Sequence, residues 1–161
     1  MCIRDSSYGA EKFISTCRDI EIDGLILPDL PSEEKEEFQP ICKKYGVDLI
    51  SLIAPTSENR IAMIAKEAEG FIYLVSSLGV TGTRSEITTD LESIVNVIRE
   101  NSAVPCAIGF GISTPEQAKK MSDISDGAIV GSAIVKLLEK HGKDAPDAVG
   151  AYVKSMKDAL L

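Results

Sequence analysis

The chain has 161 residues and a net charge of -8, with 17 Lys and Arg against 25 Asp and Glu, 44% hydrophobic residues and 26% charged. That length suits one domain with a real core, and the acidic balance excludes nucleic acid or an anionic membrane as the main partner. No apolar run approaches the roughly 18 residues of a membrane span, and Cys2, Cys17, Cys42 and Cys106 with the single His141 offer no metal-ligand spacing.

Residues 1–6 fit no pattern that follows and read as a non-native leader, which leaves 7–161 expected as a portion of a single domain. A helix opens near Tyr8, with Phe13, Ile14, Cys17 and Ile20 recurring on one side. Gly24-Leu25-Ile26-Leu27-Pro28 is a short, wholly apolar run ending at Asp29-Leu30-Pro31, as expected of a strand buried on both faces of a parallel sheet. Ser32-Glu33-Glu34 starts a second helix, with an N-cap serine and acids in the first turn. Phe38, Ile41, Cys42 and Tyr45 follow at helical spacing, Gly46 closes the helix, and Pro40 should kink it. The next strand covers 47–54. Pro55-Thr56-Ser57 then leads into a helix carrying Ile61, Ile64, Ala65 and Ala68, which Gly70 ends.

Phe71-Ile72-Tyr73-Leu74-Val75-Ser76 is the third strand, followed by a long polar connection over 78–89. Asp90 starts a helix with Leu91, Ile94, Val95 and Ile98 inward, and 104–109 form the fourth strand. Thr114-Pro115-Glu116-Gln117 is a capping box with proline at the first helical position. A fifth strand over 127–131 precedes a helix reaching about Lys140. From Pro146 a last helix puts Val149, Tyr152, Val153, Met156 and Leu160 on its inner side. One strand and one helix alternate throughout, so the class is α/β with five parallel strands. Either a five-stranded doubly wound domain or the C-terminal part of an eight-stranded barrel fits that array. Cys17 and Cys42 on apolar helix faces and Cys106 in a strand are expected as buried free thiols, which suits a reducing cytoplasm.

Two stretches carry the chemistry. Gly109-Phe110-Gly111-Ile112-Ser113 and Val130-Gly131-Ser132-Ala133 each set a glycine turn between an apolar run and a helix start. Such a turn lets backbone N–H groups approach an anion, and the helix dipole adds attraction. Two in succession match the phosphate cradle after the last two strands of a (β/α)8 barrel. A single glycine is explained as well by a plain βα turn; the set favours a phosphate.

Asp29-Leu30-Pro31, Tyr73-Leu74-Val75-Ser76-Ser77-Leu78-Gly79-Val80-Thr81-Gly82, Gly109-Phe110-Gly111-Ile112-Ser113 and Val130-Gly131-Ser132-Ala133-Ile134-Val135-Lys136 occur in the order and spacing of one family. From about Tyr8 to its end the chain resembles the alpha chain of tryptophan synthase. The resemblance implies a (β/α)8 TIM barrel, here a partial barrel of five parallel strands with their helices. It implies a lyase of tryptophan biosynthesis that cleaves indole-3-glycerol phosphate to indole and glyceraldehyde 3-phosphate. By the family's pattern, Gly82, Gly111, Gly131 and Ser132 would hold the substrate phosphate, while Tyr73, Phe110, Ile26 and Ile129 would line the indole pocket. Thr81 and Gly82 would lie on a mobile loop that closes over substrate. No cofactor is implied for this chain, because pyridoxal phosphate belongs to the partner beta chain of an alpha–beta heterotetramer. The region from Asp29 to the following helix resembles a beta-chain contact.

The reaction is a retro-aldol cleavage after proton transfer to the indole ring, so it needs a general acid and base at one end and an anion site at the other. The family's two catalytic carboxylates match no residue here. Glu33 and Glu34 read as first-turn helix acids and Asp29 as a strand-end residue, so no catalytic residue is assigned and the chain alone is expected to be inactive. Three alternatives stay open: a receiver-like or flavodoxin-like binding domain, another phosphate-binding barrel such as an isomerase or epimerase, and a non-catalytic module that keeps only the phosphate site or the beta-chain contact.

Overall fold

The computed structural model describes residues 8–76, 90–109 and 111–161. Strands β1 (Gly24–Ile26), β2 (Asp48–Ile53), β3 (Glu69–Val75), β4 (Cys106–Gly109) and β5 (Gly127–Ala128) form one parallel sheet whose spatial order is their chain order. Helix α1 (Ala10–Asp19) precedes them. A 3-10 helix (Ser32–Glu37) and α2 (Gln39–Tyr45) follow β1, α3 (Glu58–Lys66) follows β2, α4 (Leu91–Asn101) follows β3, and α5 (Pro115–Ile124) follows β4. After β5 come α6 (Ser132–His141), a 3-10 turn (Gly142–Asp144) and α7 (Ala145–Asp158).

Strand order decides between the two architectures left open by the sequence. Right-handed crossovers between successive neighbours place every connecting helix on the same face. A doubly wound sheet instead reverses at a switch point and carries helices on both faces. Here no reversal occurs, and α3 packs on α4, α4 on α5, α5 on α7 and α6 on α7. The described residues therefore form an arc of a barrel, not a receiver-like domain.

Alternation along the strands divides the side chains between the two faces. Ile53, Ile72, Leu74, Cys106 and Ile108 are buried against Ile61, Val95, Ile98, Met121 and Met156 of the helix layer. A second cluster joins Ile14, Cys42, Val47 and Leu49 beneath α1 and α2. Each fully buried Ile or Leu contributes about 1.5–3 kcal/mol relative to an exposed one, so the sheet–helix interface supplies most of the stabilisation. The opposite, inner face carries Ile26, Ile50, Leu52, Tyr73, Ala107 and Gly109, with Leu52, Tyr73, Ala107 and Gly127 side by side in register. Cys17, Cys42 and Cys106 are buried free thiols, as their positions in the pattern led one to expect.

Several local expectations need correction. Residue Pro31, not Ser32, occupies the N-cap, and the single kinked helix is two elements, a 3-10 helix and then α2 with Pro40 in its first turn. Proline lacks the N–H that a helix interior requires, so the helix breaks before it and restarts where that N–H is not needed. Gly70 does not end α3, which stops at Lys66; it lies inside β3 at φ 64°. There the β2–β3 register slips from Ile50↔Glu69 to Ser51↔Ile72, a bulge. A Cβ at Gly70 would stand 2.8 Å from Asp48 Oδ2 and 2.9 Å from Ile50 Cδ1, so both conformation and space demand glycine. The fifth strand is shorter than expected, although the Asp126 and Ile129 amides extend its ladder to the Cys106 and Ile108 carbonyls at 2.8 Å each. Ile20 is 65% exposed past the end of α1, and Val153 faces outward on α7.

Candidate functional site

Because β4 and β5 are adjacent and parallel, the turns that leave their C-terminal ends lie at the same end of the sheet. Gly111 adopts φ 84°, a region that strains any residue with a side chain. The next side chain, Ile112, is 3% exposed and anchors the turn in the helix-side core. Gln117 then ties the turn to α5: its Oε1 accepts from the Ser113 amide at 2.8 Å, the Ser113 hydroxyl at 3.2 Å and the Thr114 amide at 3.2 Å. The Gln117 amide donates back to Thr114 Oγ at 3.2 Å, which completes the capping box expected from the sequence. The start of α5 is thus satisfied by its own side chains.

The start of α6 is different. Its N-cap is Gly131, which supplies no side-chain cap, and the Gly131 carbonyl takes the Ile134 and Val135 amides at 2.9 and 3.1 Å. First-turn amides such as those of Ser132 and Ala133 have no intrahelical acceptor. A Cβ at Gly131 would meet nothing within 4 Å, so open space stands before the helix. Glycine at this position therefore answers no packing need. It leaves room for a group that approaches the amides, and the helix dipole favours an anion.

On the inner face, Tyr73 lies across Gly109. A Cβ built on Gly109 would sit 2.3 Å from the Tyr73 hydroxyl and 2.6 Å from two ring carbons. Burial raises the Tyr73 phenol above its ordinary value, so it stays protonated at neutral pH. Ile129, half-buried, shares this face two strands away, through Ala107 and Gly127. Ile26 also points to the inner face but sits on β1, at the opposite edge of the five-stranded order, and is 39% exposed. The structure thus groups Tyr73, Gly109 and Ile129 beside the Gly111 and Gly131 turns, and Ile26 is not part of that group. Thr81, Gly82 and Phe110 lie outside the described residues, as do residues 1–7 and the whole of the long connection.

Glu33 pairs with Arg60 at 2.6 Å on the helix side, consistent with its reading as a helix acid. Among the described residues, no group of three or more His, Cys, Asp or Glu could hold a metal ion, and no helix is long and apolar enough to cross a membrane. Sequence reasoning missed two polar pairings. Tyr152 on α7 donates its hydroxyl to the Ser113 carbonyl at 2.8 Å. Lys35, 8% exposed, donates from Nζ to Ser51 Oγ at 2.8 Å on the helix side of β2. The only signal for the first was a tyrosine on the inner side of the last helix, where a buried ring must find a partner for its hydroxyl.

Comparison with known proteins adds a second line of observation. A family model described as tryptophan synthase alpha chain matches residues 6–160. The tryptophan synthase alpha chain of Lacticaseibacillus casei is 50% identical over 153 residues, covering 95% of this chain and 58% of that protein. The one from Thermoanaerobacter sp. (strain X514) is 47% identical over 155 residues, covering 95% of this chain and 59% of that protein. Among solved structures, tryptophan synthase subunit alpha from Campylobacter jejuni superposes with a TM-score of 0.77 at 36% identity, over 96% of this chain and 59% of that one. The tryptophan synthase complex from Pyrococcus furiosus contains a chain with a TM-score of 0.83 at 27% identity, covering 96% of this chain and 62% of that one. The chain therefore spans less than two thirds of the length of these relatives.

Proposed function

The chain belongs to the tryptophan synthase alpha chain family, and on that premise we propose that it forms the substrate-binding part of a lyase that cleaves indole-3-glycerol phosphate to indole and glyceraldehyde 3-phosphate. The observation that carries this reading is the contrast between two neighbouring helix starts. That of α5 is closed by its own capping box, whereas that of α6 opens through Gly131 onto free space. An anion held there by the Ser132 and Ala133 amides, the Ser132 hydroxyl and the Gly111 turn would be the substrate's phosphate. Preorganised backbone donors of this kind bind an anion even in a chain with a net charge of -8, because their dipoles act locally.

With the phosphate fixed at that end, the indole would extend along the inner face toward Tyr73 and Ile129; Phe110, Thr81 and Gly82 stay further candidates for substrate contact on the family's pattern alone. Tyr73 contributes a flat, partly desolvated surface on which an aromatic ring can pack. Proton transfer to and from the indole requires two acid–base groups, and among the described residues the strand partners of Tyr73 in register, Leu52 and Ala107, supply neither. The chain by itself therefore binds without turning over. Asp29 and Pro31, both exposed after β1, would belong to the surface that meets a beta chain, and that partner would carry the pyridoxal phosphate of a heterotetramer. The existence of a tryptophan synthase a2b2 complex in Pyrococcus furiosus, to one chain of which this chain is similar, supports such a partner. The three buried free thiols suit a cytoplasmic setting.

Titration with glycerol 3-phosphate tests the binding claim. Wild type should show saturable binding that Gly131→Asp abolishes, because the new carboxylate enters open space without disturbing the packing. Wild type and Gly131→Asp behaving alike would overturn it. Steady-state release of indole from indole-3-glycerol phosphate by the chain alone would overturn the claim of inactivity. A beta-chain-binding module without a ligand site, the second reading favoured by the exposed Asp29–Pro31 segment, would change beta-chain activity on mixing while showing no phosphate binding.

A further inference from the structure

We propose that Tyr152 is a positioning residue for the phosphate: its hydroxyl, reaching from the C-terminal helix, fixes the backbone turn that follows β4. The inference rests on the phosphate site proposed above and assigns to α7 a role in that site. Ser113 is held from two directions. Its amide and hydroxyl donate to Gln117 Oε1 at 2.8 and 3.2 Å, while its carbonyl accepts from Tyr152 at 2.8 Å. A residue gripped on both its N–H and its C=O has little freedom to rotate, and it lies two positions from Gly111, whose backbone already occupies a left-handed conformation at φ 84°. Between them the Ile112 side chain is locked in the core. The turn is therefore immobilised at three consecutive points after the glycine, and the amide donors near Gly111 inherit that orientation.

The Tyr152 end is equally fixed. Its ring packs against the main core, and burial raises its phenol, so the hydroxyl remains a donor at neutral pH. α7 also packs on α6, whose N-terminus is the other half of the cradle. One helix thus touches both parts of the site, holding the β4 turn by a hydrogen bond and α6 by packing. Preorganised donors bind an anion more tightly than mobile ones, because the ordering cost is met during folding.

The test is Tyr152→Phe, which keeps the ring and removes only the hydroxyl. A net hydrogen bond of about 0.5–1.5 kcal/mol corresponds to roughly two- to tenfold in affinity. We expect glycerol 3-phosphate affinity to fall by about that factor. The amide resonances of Gly111 and Ile112 should shift while those of β2 stay in place, and the urea midpoint should drop only slightly. Unchanged affinity, or a stability loss with unmoved Gly111 and Ile112 resonances, would show that the hydroxyl merely satisfies a carbonyl. If wild type itself shows no saturable binding, the phosphate reading falls and this role with it; binding by wild type and Tyr152→Phe alike removes the positioning role alone. Should Tyr152→Phe fold poorly, Gln117→Ala releases the same residue from its other side and must then weaken the ligand and shift the same two amides.

Discussion

The ring of Tyr73 occupies the space that a side chain at Gly109 would need, with the hydroxyl 2.3 Å and two ring carbons 2.6 Å from the position of a Cβ. The aromatic floor of the inner face therefore depends on glycine in the neighbouring strand. Even one methyl group overpacks this spot, and overpacking typically costs about 1–3 kcal/mol. Gly109→Ala should lower the urea midpoint accordingly. In a Tyr73→Ala background the same change should cost far less, because the opposing ring is gone. Equal costs in both backgrounds, measured as a double-mutant cycle, would show that the two residues do not compete for space.

The Gln117 side chain makes a second, separable prediction. Thr114→Ala removes one acceptor from the capping box, for which losses near 1 kcal/mol are usual. Gln117→Ala removes an acceptor shared by three donors, including the half-buried Ser113 amide. Leaving such a donor unpaired is more costly than losing an exposed cap. Gln117→Ala should therefore destabilise the chain more than Thr114→Ala by equilibrium unfolding, and the reverse order would contradict the network described.

Much of this organisation was legible in the chain itself. Apolar runs bounded by Gly, Pro and Asp marked all five strands, because a parallel sheet buries both faces and leaves no alternation to confuse the pattern. The capping box at Thr114 and the glycine turns at Gly111 and Gly131 were legible for the same local reason: their chemistry is contained in a few adjacent residues. Gly70 misled because a glycine after a helical run reads as a stop, while its bulge is defined by the partner strand and a close approach to Asp48. Tyr73 over Gly109, Tyr152 on Ser113 and Lys35 on Ser51 each join residues far apart in the chain. Only the assembled sheet and helix layer bring such pairs together.

Lys35 gives a prediction with a definite sign in pH. Burial lowers its pKa, while Glu67 and Glu69 pull it partly back. Below the ordinary value of 10.5 the unfolded chain then holds the proton more firmly than the folded one, so this group's contribution to stability rises with pH toward 10.5 and falls as pH drops through the lowered folded value. Exchanging both partners, Lys35→Met with Ser51→Ala, removes the buried charge without leaving an unpaired hydroxyl. The double variant should be at least as stable as wild type at pH 7, with an advantage that shrinks by pH 10. An advantage that grows with pH would mean the amine is not desolvated in the folded chain.

The buried cysteines respond to pH in the opposite direction. Burial pushes the Cys42 and Cys106 thiols up to about 11, and raises Cys17 as well. The thiolate is the reactive form, so in a Cys2→Ser background the native chain at pH 8 should react with a disulfide reagent far more slowly than in urea. Linkage fixes the accompanying change in stability. Up to the ordinary thiol value of 9.0 both states keep their protons; from there to about 11 the unfolded chain loses them first. Each thiol's contribution is therefore fully present below pH 9 and is lost as pH rises through about 11. Cys42→Ala and Cys106→Ala should each flatten the decline of the urea midpoint above pH 9 relative to the same background. A decline of unaltered steepness in both variants, or rapid native labelling at pH 8, would show that these thiols are not held in the sheet–helix interface.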